Sequence, residues 1–334
     1  MLYIGNIISG RGGTPTTIET LAPLLRKEGF AVKTASDVKN KIGRLYDMVR
    51  SLYQNRKWAD YVLIDTYSTQ NFIYAILIGA LCSLFRIRYI PILHGGNLPN
   101  RLKDRTGAAR FFFKNAYSNV SPSRYLYEIF SDYGLDNLAY ISNSIQIDQF
   151  PFKRREELRC RLLWVRSFSS IYNPELALEV LSVLLKKFPE AELCMVGPAK
   201  DDSLDHCKAI AKEKNLPVLF PGKLDRKEIA TLSLDYDIFL NTARTDNTPV
   251  SLIEIMALGL PIVSTKVGGI PYLVADQTEA ILVSPDNAQE MADAVENLTQ
   301  EPGKALQISL AAREKAIRMD WENVKNYWNK LLNN

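Results

Sequence analysis

Short apolar β-type runs alternate with longer helix-type runs along this chain, and the alternation happens twice. The first series places β-type runs at 2–8, 31–34, 61–65, 89–93 and 119–121, with helix-type runs at 16–28, 41–54, 72–85, 110–116 and 123–133. Within 41–54, Ile42, Leu45, Tyr46, Val49, Leu52 and Tyr53 fall at helical spacing. An irregular stretch, 143–152, and a charge-dense one, 153–161, interrupt the pattern. The second series then places β-type runs at 162–165, 191–196, 218–220, 238–241, 262–264 and 280–283 between further helical segments. Alternation of this kind means a parallel sheet with helices on both faces. The expected fold is α/β, with two Rossmann-like doubly wound domains facing across a cleft. Ligands in such domains bind beyond the carboxyl ends of the strands.

Length agrees, since 334 residues exceed one ordinary core and suit two. The expected divisions are 1–152, 153–315 and a helical tail, 316–334, whose stripe of Trp321, Val324, Tyr327, Trp328 and Leu331 packs on its own protein. A net charge of +4 fits an anionic ligand or simply a solvated surface. Nucleic acid is not an expected partner. Four cysteines without metal spacing (Cys82, Cys160, Cys194, Cys207) suggest a reducing, cytoplasmic setting. With only two histidines, His94 and His206, no metal site is expected. The N-terminus reads as a first strand, not a signal peptide. The longest apolar run, 72–85, is shorter than the roughly 20 residues that span a bilayer, and reads as a buried helix.

The chemistry concentrates in Asp246-Asn247-Thr248-Pro249-Val250-Ser251-Leu252-Ile253-Glu254. Thr248 suits a helix cap and Pro249 the first helical position. The free N–H groups of that first turn, those of Thr248, Val250 and Ser251 around Pro249, which itself has none, together with the helix dipole favour a pyrophosphate. A carboxylate one or two turns in, Glu254, can accept hydrogen bonds from both hydroxyls of a ribose. The alternative is a turn-forming Asp246 and a solvated Glu254. Downstream come Ala257-Leu258-Gly259-Leu260-Pro261 and Gly268-Gly269-Ile270-Pro271. Arg166 ends the strand at 162–165, and Lys223 follows Gly222 after another. Each is a candidate cation for phosphate, or else a surface charge. In the first half, Gly12 and Gly13 lie in a glycine-rich turn that lets backbone approach a phosphate or sugar. His94, followed by Gly95-Gly96, stands at a strand end.

The segment 245–271 resembles the donor-site signature of retaining GT-B glycosyltransferases of the large family 4 group. That signature is E-x7-E, then A-x-G-x-P and G-G-x-P/E; here Asp246 replaces the first glutamate. The resemblance implies a GT-B fold whose C-terminal helix crosses back to the first domain. It implies that Arg166 neutralises the donor diphosphate, that Glu254 holds the ribose, that Asp246 bonds the sugar hydroxyls, and that His94 approaches the sugar. The family lysine that follows the arginine is absent, because Ile171-Tyr172-Asn173-Pro174 occupies its place. Lys223 is the candidate substitute.

The resemblance further implies a donor nucleoside diphosphate sugar, no separate cofactor, no metal, and a glycan or lipid-linked acceptor in bacterial cell-surface polysaccharide synthesis. Lys39, Lys41, Arg44, Arg50, Arg56 and Lys57 give one helix and its flanks a basic character suited to peripheral contact with an anionic membrane, or to water. A sugar-nucleotide epimerase and a non-catalytic sugar-nucleotide-binding protein are the alternatives.

Overall fold

Each half of the computed structural model, which describes residues 1–8, 15–69, 71–103 and 107–333, builds one six-stranded parallel sheet. In the first unit the strands are β1 (Leu2–Ile4), β2 (Lys33–Ala35), β3 (Tyr61–Thr66), β4 (Arg88–Leu93), β5 (Asn119–Ser121) and β6 (Leu138–Tyr140). Their spatial order is β2-β1-β3-β4-β5-β6. In the second unit β7 (Arg161–Val165), β8 (Glu192–Val196), β9 (Val218–Gly222), β10 (Ile238–Asn241), β11 (Ile262–Thr265) and β12 (Ile281–Val283) are ordered β12-β11-β10-β7-β8-β9. Read from β9, that is the 3-2-1-4-5-6 order of a dinucleotide-binding sheet, with the direction of winding reversing between β7 and β10. In the first unit the reversal lies between β1 and β3.

The central strands are mostly apolar because both faces of each sheet are covered there, while edge and terminal positions such as Lys33, Arg88 and Glu192 are polar. Along β7, Leu162 and Trp164 enter one core cluster with the helices Pro174–Leu184 and Ala288–Gln300. Leu163 enters the opposite cluster with the helix Val250–Leu258. A period of two thus loads both faces from one strand.

The division between units falls at Ser142/Asn143, ten residues before the expected 152/153. Ile145 and Phe150 are buried in the second unit's core, so the irregular stretch belongs there. At the far end the expected single tail is two helices, Pro302–Arg318 and Trp321–Leu332. Ala312, Ala316 and Met319 pack in the second core, and only Val324–Asn334 groups with the first unit, not the whole of 316–334.

The run expected to be a buried helix, 72–85, forms the helix Asn71–Phe85 and is buried on one face only. Phe72, Ala75, Ile78, Gly79 and Cys82 face inward, and a Cβ at Gly79 would stand 2.5 Å from the Phe112 ring. Ile73, Leu77 and Leu84 are exposed. An uncharged run carries no polar face to reveal this in advance.

Candidate active site

Where the second sheet reverses, β7 and β10 deliver Arg166 and Asp246 to the same place. Arg166 continues β7 by donating its N–H to the Val196 carbonyl at 3.0 Å. Gly197 makes room for this approach, since a Cβ there would lie 1.8 Å from the Arg166 carbonyl oxygen. The guanidinium then makes three contacts. Nη2 donates to Asp246 Oδ2 at 2.6 Å, Nη1 donates to Ser251 Oγ at 3.3 Å, and the plane lies over the Tyr172 ring at 4.3 Å from its centroid. Tyr172 is fixed from below. Its carbonyl accepts from Thr242 Oγ1 at 2.8 Å, and Trp164 Nε1 donates to that same hydroxyl oxygen at 2.9 Å. Tyr172 therefore stacks on the arginine in the stretch where the resemblance expects a lysine. The Arg166 Nε is buried without a hydrogen-bond partner among the described residues.

Asp246 is also held by its own backbone, with Oδ1 accepting from the Asn247 N–H at 2.9 Å. Its carboxylate is 8% exposed. Burial raises its pKa above the ordinary range, and the Arg166 charge opposes that rise. The Gly268-Gly269 turn braces the loop from behind. Gly269 N–H donates to the Asp246 carbonyl at 3.0 Å. A Cβ at Gly268 or Gly269 would stand 2.1 Å from the carbonyl oxygens of Asp246 and Asn247 respectively. The two glycines permit the close approach of two backbones, and the first also adopts a φ of +50°.

The helix Val250–Leu258 starts one residue later than expected. Pro249, at φ −67° and ψ 124°, is the cap rather than the first helical residue, and no side chain caps the helix. Thr248 is not the cap, and its carbonyl accepts from Asn143 Nδ2 at 2.9 Å. Among the described residues the amides of Val250 and Ser251 have no backbone acceptor, so the helix presents bare donors at its positive end. Glu254 lies a turn further in and is buried. Its Oε1 accepts from Arg226 Nε at 2.7 Å. Burial raises the Glu254 pKa, and Arg226 first, then Arg166, opposes the rise.

Nothing in the sequence motifs singles out Arg226. It opens the helix Arg226–Leu232, whose Asp225 and Glu228 form a reciprocal capping box. The D-x-x-E spacing was the available signal that a helix begins there. Lys223 is exposed just beyond β9, three residues before Arg226.

In the first unit, His94 Nε2 lies 2.9 Å from Asp65 Oδ1, at the ends of β4 and β3. Tyr3 Oη donates to the same Asp65 oxygen at 2.8 Å, and the Tyr67 ring packs on His94 with centroids 5.1 Å apart. Burial, then the Asp65 charge, pushes both tyrosine hydroxyls well above their usual range. A Cβ at Gly5 would meet Asp65 Oδ2 at 2.5 Å. Asp65 was visible in the sequence only as a carboxylate closing a strand. Gly12 and Gly13 lie outside the described residues.

The family model for glycosyl transferases group 1 matches residues 146–315, half of the chain, and includes Arg166, Tyr172, Lys223, Arg226, Asp246, Ser251, Glu254 and the Gly268-Gly269 turn. Among curated proteins, the chain is 27% identical over 155 residues to the sulfoquinovosyl transferase SQD2 of Arabidopsis thaliana, covering 44% of this chain and 29% of that protein. It is 28% identical over 181 residues to the amylovoran biosynthesis glycosyltransferase AmsK of Erwinia amylovora, covering 51% and 44%. The matches thus span less than half the length of these relatives. Among solved structures, Anabaena Alr3699/HepE in complex with UDP and glucose matches with a TM-score of 0.77 at 17% identity, over 99% of this chain and 98% of that one. Such a likeness establishes the fold, that of the GT-B glycosyltransferases.

Proposed function

The chain belongs to the glycosyl transferases group 1, and we propose on that premise that it moves a sugar from a nucleoside diphosphate sugar to a glycan or lipid-linked acceptor, with retention of configuration. The observation that carries the proposal is the cluster at the β7/β10 reversal. Two buried carboxylates, each held by an arginine, stand beside an uncapped helix N-terminus and a buried guanidinium nitrogen that lacks an acceptor. Buried donors ordinarily find partners. An anion supplied by the substrate is the partner this one lacks.

In this reading Glu254 binds the two ribose hydroxyls with the lone pairs that Arg226 leaves open. Asp246 and the 247–250 turn bind the sugar. The bond from the sugar C1 to the diphosphate oxygen breaks, and its electron pair passes to the leaving diphosphate. Arg166, Lys223 and the Val250 and Ser251 amides stabilise the charge that develops there. The acceptor oxygen bonds C1 on the face the diphosphate leaves, and its proton passes to a phosphate oxygen. No covalent protein nucleophile and no metal takes part. His94 is assigned to the sugar by the family resemblance. The same resemblance supports a role in bacterial cell-surface polysaccharide synthesis, while the unpaired-cysteine pattern supports a cytoplasmic site and the basic residues between Lys39 and Lys57 support peripheral contact with an anionic membrane.

The test is incubation with a panel of nucleoside diphosphate sugars, UDP-glucose first, with and without EDTA. Slow release of free sugar and nucleoside diphosphate, unchanged by EDTA, supports the proposal. An altered sugar on an intact nucleotide points instead to an epimerase, and binding without turnover to a non-catalytic sugar-nucleotide-binding protein. Glu254→Ala should abolish both donor binding and turnover, and the site assignment fails if it leaves them untouched.

A further inference from the structure

Two neighbouring helices of the first unit expose apolar side chains that nothing in the described structure covers. On Lys41–Asn55 these are Ile42, Tyr46 and Tyr53, with Ile42 80% exposed. On Asn71–Phe85 they are Ile73, Leu77 and Leu84, with Ile73 65% and Leu84 72% exposed. Both sets have the spacing i, i+4, i+11, which keeps each on one face of its helix. The helices lie side by side and in the same direction. Tyr74 Oη donates to the Lys41 carbonyl at 3.3 Å where both begin, and the Tyr53 and Phe85 rings meet at 6.1 Å where both end. The two stripes therefore run in register.

The charge around this face is predominantly positive. Between positions 39 and 60 there are six basic residues against two acidic ones, Asp47 and Asp60. The helix Asn71–Phe85 carries no charged residue, and Arg86 and Arg88 follow it. Arg56 lies over the Tyr53 ring at 3.8 Å, a cation set beside an exposed aromatic. Long basic side chains can lay their stems along apolar surface and keep their heads in water. Aromatic rings with a polar edge suit the boundary between headgroups and acyl chains.

We propose that this two-helix face docks on an anionic phospholipid surface, with the apolar stripes entering the interfacial layer and the basic rim meeting the headgroups. This deepens the reading above, on which peripheral contact rests on one basic helix alone. It names the second helix as the apolar half of the contact. Spanning is excluded for it, because 15 residues of helix reach about 22 Å against a hydrocarbon core of about 30 Å. A second copy of the chain would bring the same basic rim against itself, whereas an anionic surface complements it.

The experiment is flotation of the whole chain with vesicles of phosphatidylcholine alone and of phosphatidylcholine mixed with phosphatidylglycerol, alongside the Ile73→Asp/Leu84→Asp variant. Neither position lies in the transfer site, so UDP-glucose hydrolysis serves as the control for folding and for the activity itself. Wild type should bind the anionic vesicles at least tenfold more tightly than the neutral ones, and the variant should lose at least tenfold of that binding with hydrolysis unchanged. Three results overturn the proposal: no binding of wild type to anionic vesicles, equal binding by variant and wild type, or a wild-type dimer in sedimentation that the variant abolishes. Loss of hydrolysis in wild type would instead strike the transferase reading and leave the vesicle result standing.

Discussion

Replacing Arg166 by alanine should cost stability in a way that depends on pH, because it strands a buried acid. Asp246 keeps only its 2.9 Å bond from the Asn247 N–H once the 2.6 Å contact to Nη2 is gone. Removing one partner of a buried ion pair costs about 3–5 kcal/mol. Arg166 is 19% exposed, so water reaches part of the site and the lower end applies, about 3 kcal/mol. At about 2–4 °C per kcal/mol for a domain of this size, the melting temperature should fall by roughly 6–12 °C. The sign of the pH effect follows from the raised pKa of Asp246. A carboxyl whose pKa is higher folded than unfolded contributes stability fully below its unfolded pKa, and loses it as pH rises through the folded one. Without Arg166 the folded pKa climbs further, so the window of loss extends to higher pH. There the gap between variant and wild type should widen by up to about 1.4 kcal/mol per pH unit. Urea unfolding at pH 5 and pH 8 measures it, followed by tryptophan fluorescence, to which Trp164, buried in β7 two residues from Arg166, contributes. Arg166→Ala/Asp246→Asn, which removes the stranded charge, should recover much of the loss without recovering donor turnover. A deficit under about 1 kcal/mol, or one identical at both pH values, refutes the reasoning.

Lys223→Ala should weaken UDP binding about tenfold, a loss of about 1.4 kcal/mol, if this lysine supplies the second positive charge. Equal affinity in a calorimetric titration would assign that charge elsewhere. Gly269→Ala tests the brace behind Asp246. The backbone φ of −86° is ordinary, so the whole penalty is the 2.1 Å clash with the Asn247 carbonyl, about 1–3 kcal/mol, and turnover should fall with stability. Gly303→Ala, in a helix with open space around the position, should instead leave stability unchanged or slightly higher.

The strands were legible because parallel strands buried on both faces are apolar over most of their length, as at 61–64 and 238–240. The end of the helix after Asp246 was legible too, since Gly259 adopts φ +79° and Pro261 follows. Sheet order was not, because it depends on which strands meet across gaps of up to about 75 residues. For the same reason the motif residues could be named while their partners could not. Gly268 and Gly269 announce a tight turn, but not that it presses on the carbonyls of Asp246 and Asn247. Asp65 reads as any strand-end acid until Tyr3 and His94 converge on one of its oxygens. The exposed stripe of Ile73, Leu77 and Leu84 was invisible because a helix without charged residues, and with only scattered polar ones, has no polar face for a period to mark.

Arg226 is where this limit bears most on function. Glu254 is buried, burial alone would favour its neutral form, and Arg226 is the largest influence holding it toward the charged one. A protonated carboxyl accepts fewer hydrogen bonds, so a ribose held by Glu254 requires the ion. Arg226→Ala should therefore make donor affinity depend on pH up to a higher pH than it does in wild type. The Glu254 pKa moves further up, the ionised fraction falls as pH drops, and the dissociation constant for UDP-glucose should rise toward low pH. The diphosphate of this donor is already fully ionised there, so the slope reports the protein. Calorimetric titrations of both proteins between pH 5.5 and 8.5 decide the matter. Parallel pH profiles would mean that Arg226 does not tune Glu254, and that the 2.7 Å pair serves only to anchor the start of its helix.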